Sequence, residues 1–425
     1  MDRRRLNKRF MLPAAVATVF AGLAALHIAG LDALYDRILG VWGIVPFAFP
    51  FVDVHGVLSA IACSAHGIDV YVTNPCDVLG RVFFYSPLLL WAAPTGIGVG
   101  ATPAAGLIVD LAFILSLALL PVPRMRPERR LFIAAALSSA AALGLERANI
   151  DLMIFAMIAI VARLLLHGTR ARMVAYALLG AAALLKFYPA AAFALAARER
   201  PRRFAAIAGA AVTVGTIFVV VYHAELAQAL GNVPSGKWFQ DMFGARNLPY
   251  GLTALGIVSA PPLLYAAMAA AAGIGALALG RSPATNTYAR LDAAEATFLV
   301  IGAAIVVGCF FAGQSYTYRS VFLIMTLPGL SAMARESASP LSRPLLTAAA
   351  VGVLLLMWEE TARQAVAVAA PGAMFAFWLG RELVWWSVMT VLGGVLVRFV
   401  GSVDIADATL AWLDWRGSGR RILPR

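Results

Sequence analysis

The chain repeats apolar segments of membrane-spanning length, and this pattern limits its fold more than any other feature. About ten mostly apolar runs of roughly 20 residues, the length that a helix needs to cross a bilayer, are separated by short polar stretches. Only 13% of the residues are charged, about half the share in soluble domains. The alternating pattern of a membrane β-barrel is absent. The sequence therefore predicts an all-α polytopic membrane protein with about 10–12 transmembrane segments.

The positions of the basic residues predict how these segments are oriented. The net charge is +12, but 25 of the 34 lysines and arginines fall in seven clusters beside the apolar runs. Basic clusters stay on the cytoplasmic side of a membrane, so the charge is a topology signal and gives no reason to expect a nucleic acid partner. We predict a multi-pass protein of a bacterial inner (plasma) membrane with both termini in the cytoplasm. Residues 401–425 would form a basic cytoplasmic tail.

The whole chain, residues 1–425, is predicted to be a single integral membrane domain with two external loops. Residues 31–86 would form a long first periplasmic loop. Residues 223–250 would form the second, in which Lys237 and Trp238 mark a candidate acceptor or lid segment.

The three cysteines show no metal-ligand spacing, so we expect neither a metal nor another cofactor. Cys63 and Cys76 would share the oxidising side of the membrane and could form a disulfide. Two unlinked small residues are the favoured interpretation of this pair.

One apolar stretch, residues 173–197, has arginines at both ends. A single straight helix would put one of these flanks on the external side, and Pro189 disfavours helix near the middle. We therefore predict a hairpin of two short helices with Lys186 at its turn, at membrane depth. An ionisable group at that depth costs on the order of a few kcal/mol and is usually functional.

Polar clusters flank other apolar runs on the same external side. The clusters at residues 146–151 and 314–319 hold acids, arginines and tyrosines. The charges of the first can simply pair and cap the adjoining helices, and Arg319 can simply reach towards headgroups. Asp69 and Asp77 are best explained as turn residues, because they follow Gly67 and Pro75 closely.

The charges on this side nevertheless suit one kind of chemistry. Lys186, Arg147 and Arg319 would neutralise a phosphate at the membrane surface and stabilise the negative charge that develops as it leaves. Asp53 would accept the proton of a hydroxyl group, which is a poor nucleophile until a base acts on it. A lipid phosphate that carries a sugar supplies both needs, with aromatic rings to pack on the sugar.

Short motifs in chain order resemble glycosyltransferase family 87, a family of the GT-C class of membrane glycosyltransferases. The segments that carry this resemblance are Asp53, Gly67-Ile68-Asp69-Val70-Tyr71, Tyr85-Ser86-Pro87, Glu146-Arg147-Ala148-Asn149-Ile150-Asp151, Leu184-Leu185-Lys186-Phe187-Tyr188-Pro189, Asn247-Leu248-Pro249-Tyr250-Gly251-Leu252 and Tyr316-Thr317-Tyr318-Arg319. Together they cover most of the chain. Two departures from the family pattern are Ala148 in place of a glycine and the lack of a serine after Asn247.

The resemblance implies a GT-C-like helical bundle and an inverting glycosyltransferase that works without metal. It would move a mannose-like sugar from a polyprenyl-phosphate donor to a lipid- or glycan-linked acceptor at the periplasmic face. Asp53 would be the catalytic base, and Lys186, Arg319 and Arg147 would bind the donor phosphate. The residues expected to shape the site are Glu146, Asn149, Asp151, Tyr71, Tyr85 and Tyr318. Membrane lipids are the other expected partners.

Two alternatives remain open at this point. A lipid-linked glycan ligase or polymerase with a lipid-diphosphate donor would also need external cations. A lipid or solute transporter would need polar residues along a path through both leaflets, whereas here they crowd one face and Asp110 is an isolated exception.

Overall fold

The structure is a computed structural model that describes residues 3–236 and 238–403. It is helical apart from two two-residue strands, β1 Met242–Phe243 and β2 Ser315–Tyr316, which pair antiparallel in the described part of the chain. The α-helices are α1 Arg3–Ile28, α2 Asp32–Val41, α3 Val52–Ala65, α4 Thr102–Ser116, α5 Arg126–Ala136, α6 Ser139–Arg147, α7 Ile150–Leu164, α8 Thr169–Leu185, α9 Pro201–Val221, α10 His223–Gly231, α11 Asn247–Ala254, α12 Pro261–Arg281, α13 Ala293–Ala312, α14 Leu327–Glu336, α15 Ser342–Met357, α16 Glu359–Ala369 and α17 Met374–Gly401. Short 3-10 helices cover Pro87–Thr95, Val99–Ala101, Leu117–Leu119, Tyr188–Arg198, Pro283–Arg290, Thr317–Met325 and Pro371–Ala373.

Long apolar helices agree with an all-α polytopic membrane protein. Within the described residues, six helices are long and apolar enough to cross a membrane, or seven if the bent pair α15 and α16 forms one broken span. The number is below the predicted 10–12 because several predicted spans are short or interrupted. The predicted span 131–145 is divided between α5 and α6, and α7 has only 15 residues, about 22 Å of helix.

Residues 31–86, which the sequence analysis predicts as a long loop, are partly helical. Residues 31–86 contain α2 and α3, so Asp53 lies in the first turn of a helix. The favoured interpretation of the cysteines is also wrong, because Cys63 at the end of α3 forms a disulfide with Cys76. This bond ties α3 to the segment that follows it.

The predicted hairpin around Lys186 is confirmed. Helix α8 ends at Leu185, and the 3-10 helix Tyr188–Arg198 turns back along it. The Nε atom of Arg172 lies 3.0 Å from a carboxylate oxygen of Glu199, so the two open ends of the hairpin meet. Lys186 is therefore held at the closed end, between the two helices.

Polar groups gather at opposite ends of the bundle. Helix α7 connects the ends, with Asp151 in its first turn and Arg163 in its last. Around Arg163, the guanidinium donates to the backbone oxygen of Leu119, and Arg335 forms an ion pair with Glu128. These basic residues thus lie one length of α7, roughly 20 Å, from Asp151. A core of buried apolar side chains separates the two ends.

Local backbone features bring α3, α6 and α7 together at the Asp151 end. Ala148 ends α6 in the left-handed region, with φ of 45°, and Asn149 caps α7 by accepting the N–H of Asp151 at 2.9 Å. Phe51, also left-handed with φ of 67°, donates its N–H to the backbone oxygen of Glu146 at 2.7 Å. The start of α3 is therefore attached to the α6–α7 junction.

Candidate active site

Asp53 lies where α3 meets the α6–α7 junction, and both oxygens of its carboxylate have partners. Oδ2 accepts a hydrogen bond of 2.6 Å from Nδ2 of Asn149, and Oδ1 lies 3.3 Å from Nη1 of Arg81. The side chain is 12% exposed. The predicted base is thus fixed in orientation and keeps a small exposed surface.

Asn149 connects Asp53 to a second group of charges. Its amide nitrogen binds Asp53, while its Oδ1 atom accepts the N–H of Asp151 at 2.9 Å and lies 3.5 Å from Nζ of Lys186. Asn149 is fully buried, so these bonds are not exchanged with solvent. One amide side chain therefore sets the separation between Asp53 and Lys186.

Asp151 is the centre of this second group. Its Oδ1 atom lies 2.6 Å from Nζ of Lys186 and accepts the hydroxyl proton of Tyr188 at 2.7 Å. Its Oδ2 atom lies 3.2 Å from Nε of Arg319. Two cations surround one carboxylate, which leaves a net charge of one positive unit in a buried setting.

Aromatic rings cover both cations. Nζ of Lys186 lies 4.8 Å from the centroid of the Tyr85 ring, and Cζ of Arg319 lies 4.8 Å from that of Tyr188. These are cation–π distances. The Arg319 guanidinium also donates to the hydroxyl of Ser315 at 2.8 Å. Contacts within the protein thus fix the positions of both the Lys186 and the Arg319 side chains.

Exposure differs between the predicted phosphate-binding cations. The Lys186 side chain is only 8% exposed, whereas that of Arg319 is 21% exposed. Arg147 is separate: its guanidinium lies 5.2 Å from the Phe47 ring and 4.0 Å from the Glu146 carboxylate. The structure therefore brings Lys186 and Arg319 together at Asp151, while Arg147, with a side chain 16% exposed, contacts other residues.

The remaining predicted residues shape the site in different ways. Glu146 is buried and contributes the backbone oxygen that fixes Phe51. Tyr71 donates its hydroxyl to the backbone oxygen of Tyr85 at 3.1 Å, and so supports the ring below Lys186. Tyr318 is buried and stacks on Tyr316 with centroids 5.5 Å apart.

Arg81 is the residue of the site that the sequence analysis missed. Besides Asp53, its guanidinium contacts Asp77 at 2.8 Å and 3.2 Å and the backbone oxygen of Val52 at 2.7 Å. Asp77 is therefore not merely a turn residue, and its side chain is fully buried. Burial opposes ionisation of Asp77, but the hydrogen bonds and charge of Arg81 outweigh it and hold the pKa of Asp77 below its ordinary value.

Asp69 takes no part in this network. Its carboxylate accepts the N–H of Tyr71 at 3.0 Å, which is the local turn bond expected for an aspartate at this position. The structure thus separates the two acids that the sequence left close together, and Asp69 becomes a natural control for Asp53.

Part of the segment 223–250, the predicted second loop, packs against α17. The guanidinium of Arg381 donates to the backbone oxygens of Trp238 and Gln240 at 3.2 Å and 2.7 Å. Trp238 also stacks on Tyr250, with centroids 5.6 Å apart. This segment is fixed at the same end as the site, and the predicted Lys237 lies outside the described residues.

A small cavity of about 20 Å³ opens beside Asp53. Its lining consists of Asp53, Gly56, Arg81, Val82, Phe83, Phe84 and Tyr85. One wall is thus a carboxylate and a cation, and the other is aromatic. Within the described residues, no group of three or more histidine, cysteine or acidic side chains has the arrangement of a metal site.

Comparison of the chain with protein-family models, curated proteins and solved structures found no match.

Proposed function

We propose that this chain is an inverting membrane glycosyltransferase that uses a polyprenyl-phosphate sugar, mannose-like in type, at the external face of the membrane. The observation that carries the proposal is the single amide of Asn149, which binds the Asp53 carboxylate and lies beside the cation group at Asp151. A proton acceptor and a cationic site are thereby held next to each other. Transfer from a lipid phosphate needs both.

The acceptor side of the reaction fits Asp53. An acceptor hydroxyl in the small cavity would donate its hydrogen bond to the exposed part of the carboxylate, which would take the proton as the new glycosidic bond forms. General-base catalysis of this kind contributes about 10²–10⁴-fold. Phe84 and Tyr85, stacked with centroids 4.5 Å apart, offer the aromatic wall against which a sugar ring would pack.

The donor side fits the group at Asp151. As the bond between the sugar and the phosphate breaks, negative charge grows on the leaving phosphate. Lys186 and Arg319 carry one more charge than Asp151 neutralises, and Arg319 is the more exposed of the two. Fixed cations in a buried site stabilise such charge without reorganisation. The acceptor would be a lipid- or glycan-linked hydroxyl.

The direct experiment is a donor panel with the purified protein in nanodiscs. Polyprenyl-phosphate mannose, glucose and arabinose would be compared with the corresponding polyprenyl-diphosphate sugars, each with a mixture of membrane glycolipids as acceptor. We expect sugar transfer from at least one monophosphate donor and none from the diphosphates. Transfer from diphosphates alone would replace the proposal with the ligase or polymerase alternative. Unchanged donor carried across sealed vesicles without transfer would replace it with a transporter.

A further inference from the structure

Most of the hydrogen-bond donors of Arg81 are already bonded to other groups of the protein. A guanidinium has five N–H donors. Nε donates to Asp77, Nη2 donates to Asp77 and to the backbone oxygen of Val52, and Nη1 donates to Asp53. Four of the five are therefore occupied. This differs from Arg319, which is held at Nε and Nη1 by side-chain oxygens.

We propose that Arg81 is a positioning residue for Asp53, and that Asp77 and the Cys63–Cys76 disulfide hold Arg81 in place. The proposal rests on the proposed function, because it assigns Asp53 the reacting role. Arg81 is placed to fix the rotamer of the Asp53 carboxylate, because its Nη1 atom lies 3.3 Å from Oδ1. It would act on the reaction through Asp53.

Arg81 is held by contacts with Asp77, which itself follows a disulfide-bonded cysteine. Both carboxylate oxygens of Asp77 accept hydrogen bonds from the guanidinium, and Oδ2 also accepts the backbone N–H of Arg81 at 3.0 Å. The disulfide joins Cys63 to Cys76, the residue directly before Asp77. The end of α3 is thus covalently tied to the residue beside the anchor of Arg81, while the start of α3 carries Asp53.

A glycine in α3 makes room for this guanidinium. A Cβ atom at position 56 would lie 2.7 Å from Nη2 of Arg81, closer than a real contact allows. The Gly56→Ala change therefore displaces Arg81 by adding one methyl group, with no change in charge. Gly100→Ala is a matched control, because a Cβ atom there meets nothing within 4 Å.

The central test compares Arg81→Gln and Arg81→Lys with wild type in the transfer assay, with kcat and KM for donor measured for each. We expect Arg81→Gln to lower kcat about 10–100-fold, the range for a misplaced catalytic group, with little change in KM. Arg81→Lys should restore the rate only in part, because lysine keeps the positive charge but lacks the planar fork.

The supporting variants probe how Arg81 is held. Gly56→Ala and the double change Cys63→Ser with Cys76→Ser should each lower kcat in the same way, and Gly100→Ala should leave it unchanged. In an Asp53→Asn background, Arg81→Gln should cause no further loss, because the residue acts through Asp53.

Three results would overturn the proposal. Activity of Arg81→Gln within about threefold of wild type would remove Arg81 from the reaction. A fall in kcat that Arg81→Lys does not restore in part, or that comes with an equal rise in KM, would reduce Arg81 to a purely structural role. An equal loss in the Asp53→Asn background would show that it acts independently.

A failure of the proposed function is distinguishable from a failure of this inference. If wild-type protein transfers no sugar, the glycosyltransferase assignment fails, and the contact between Arg81 and Asp53 is tested by unfolding instead. Arg81→Gln and Asp53→Asn should then be non-additive in midpoint of unfolding, as expected for residues in direct contact. Additive midpoints would overturn the inference on their own.

Discussion

Replacing Asp151 should destabilise the protein far more than replacing an ordinary surface acid. Asp151→Asn keeps the size of the side chain but leaves Lys186 and Arg319 buried without a counter-charge. Each hydrogen bond between charged partners contributes about 1.5–3 kcal/mol, and Asp151 makes one with each cation, at 2.6 Å and 3.2 Å. Loss of one partner from a buried ion pair costs about 3–5 kcal/mol. We expect a decrease of that size in the free energy of unfolding.

The assay is reversible unfolding in mixed detergent micelles, with Asp32→Asn as the control. Asp32 pairs with His27 at the surface, where the aspartate side chain is 63% exposed, and such pairs contribute about 0–1 kcal/mol. Adding Lys186→Gln to Asp151→Asn should cost less than the same change in wild type, because it removes an unpaired buried charge. The reasoning is refuted if Asp151→Asn and Asp32→Asn unfold at the same denaturant concentration.

Three further predictions concern ligand binding, pH and topology. Lys186→Ala should weaken binding of a polyprenyl-phosphate sugar in nanodiscs but not of the same lipid without phosphate; equal loss for both lipids would contradict this. The pKa of Asp77 is lowered in the folded state, so its stabilising contribution should be complete above about pH 4 and vanish as the pH falls through that lowered pKa. Asp77→Asn should therefore flatten the acid side of the profile of stability against pH. An unchanged profile would contradict this prediction. A cysteine placed at Val72, which is 64% exposed, should react with an impermeant reagent on intact cells. A cysteine at Arg200 should react only after permeabilisation. The reverse pattern would show that the predicted topology is inverted.

Sequence patterns anticipated the features that depend on composition and on local chain geometry. The run of apolar segments predicts the helical class, and arginines on both flanks of residues 173–197 predict the hairpin that the structure shows. Polar groups on one face also predict that Asp53 and Lys186 lie near each other. Such predictions succeed because the hydropathy and charge of each segment can be evaluated without knowing which other segments it contacts.

Features that depend on contacts between segments could not be predicted in the same way. The bond from Asn149 to Asp53 joins residues 96 positions apart, and nothing in either segment specifies that pairing. Arg81 lies outside the seven basic clusters, although its spacing of four residues from Asp77 is a signal for an ion pair. Helix α3 was overlooked because residues 31–86 were treated as one polar loop, yet Val52–Ala65 is an apolar stretch of 14 residues.

The division of predicted spans has a physical origin that hydropathy does not register. Ser138 caps α6 by accepting the N–H of Ala141 and so separates α6 from α5 within one apolar run. A cap of this kind is a hydrogen bond made by a single side chain, and it changes the mean hydropathy of the run very little.

The most direct test of the central claim is single-turnover sugar transfer by Asp53→Asn, with donor binding measured on the same sample. The change replaces a carboxylate with an amide of equal size, so only the proton acceptor is lost. We predict that transfer falls about 10²–10⁴-fold while the polyprenyl-phosphate sugar still binds, and that Asp69→Asn keeps nearly full activity. Transfer by Asp53→Asn within about threefold of wild type would contradict the assignment of Asp53 as the base.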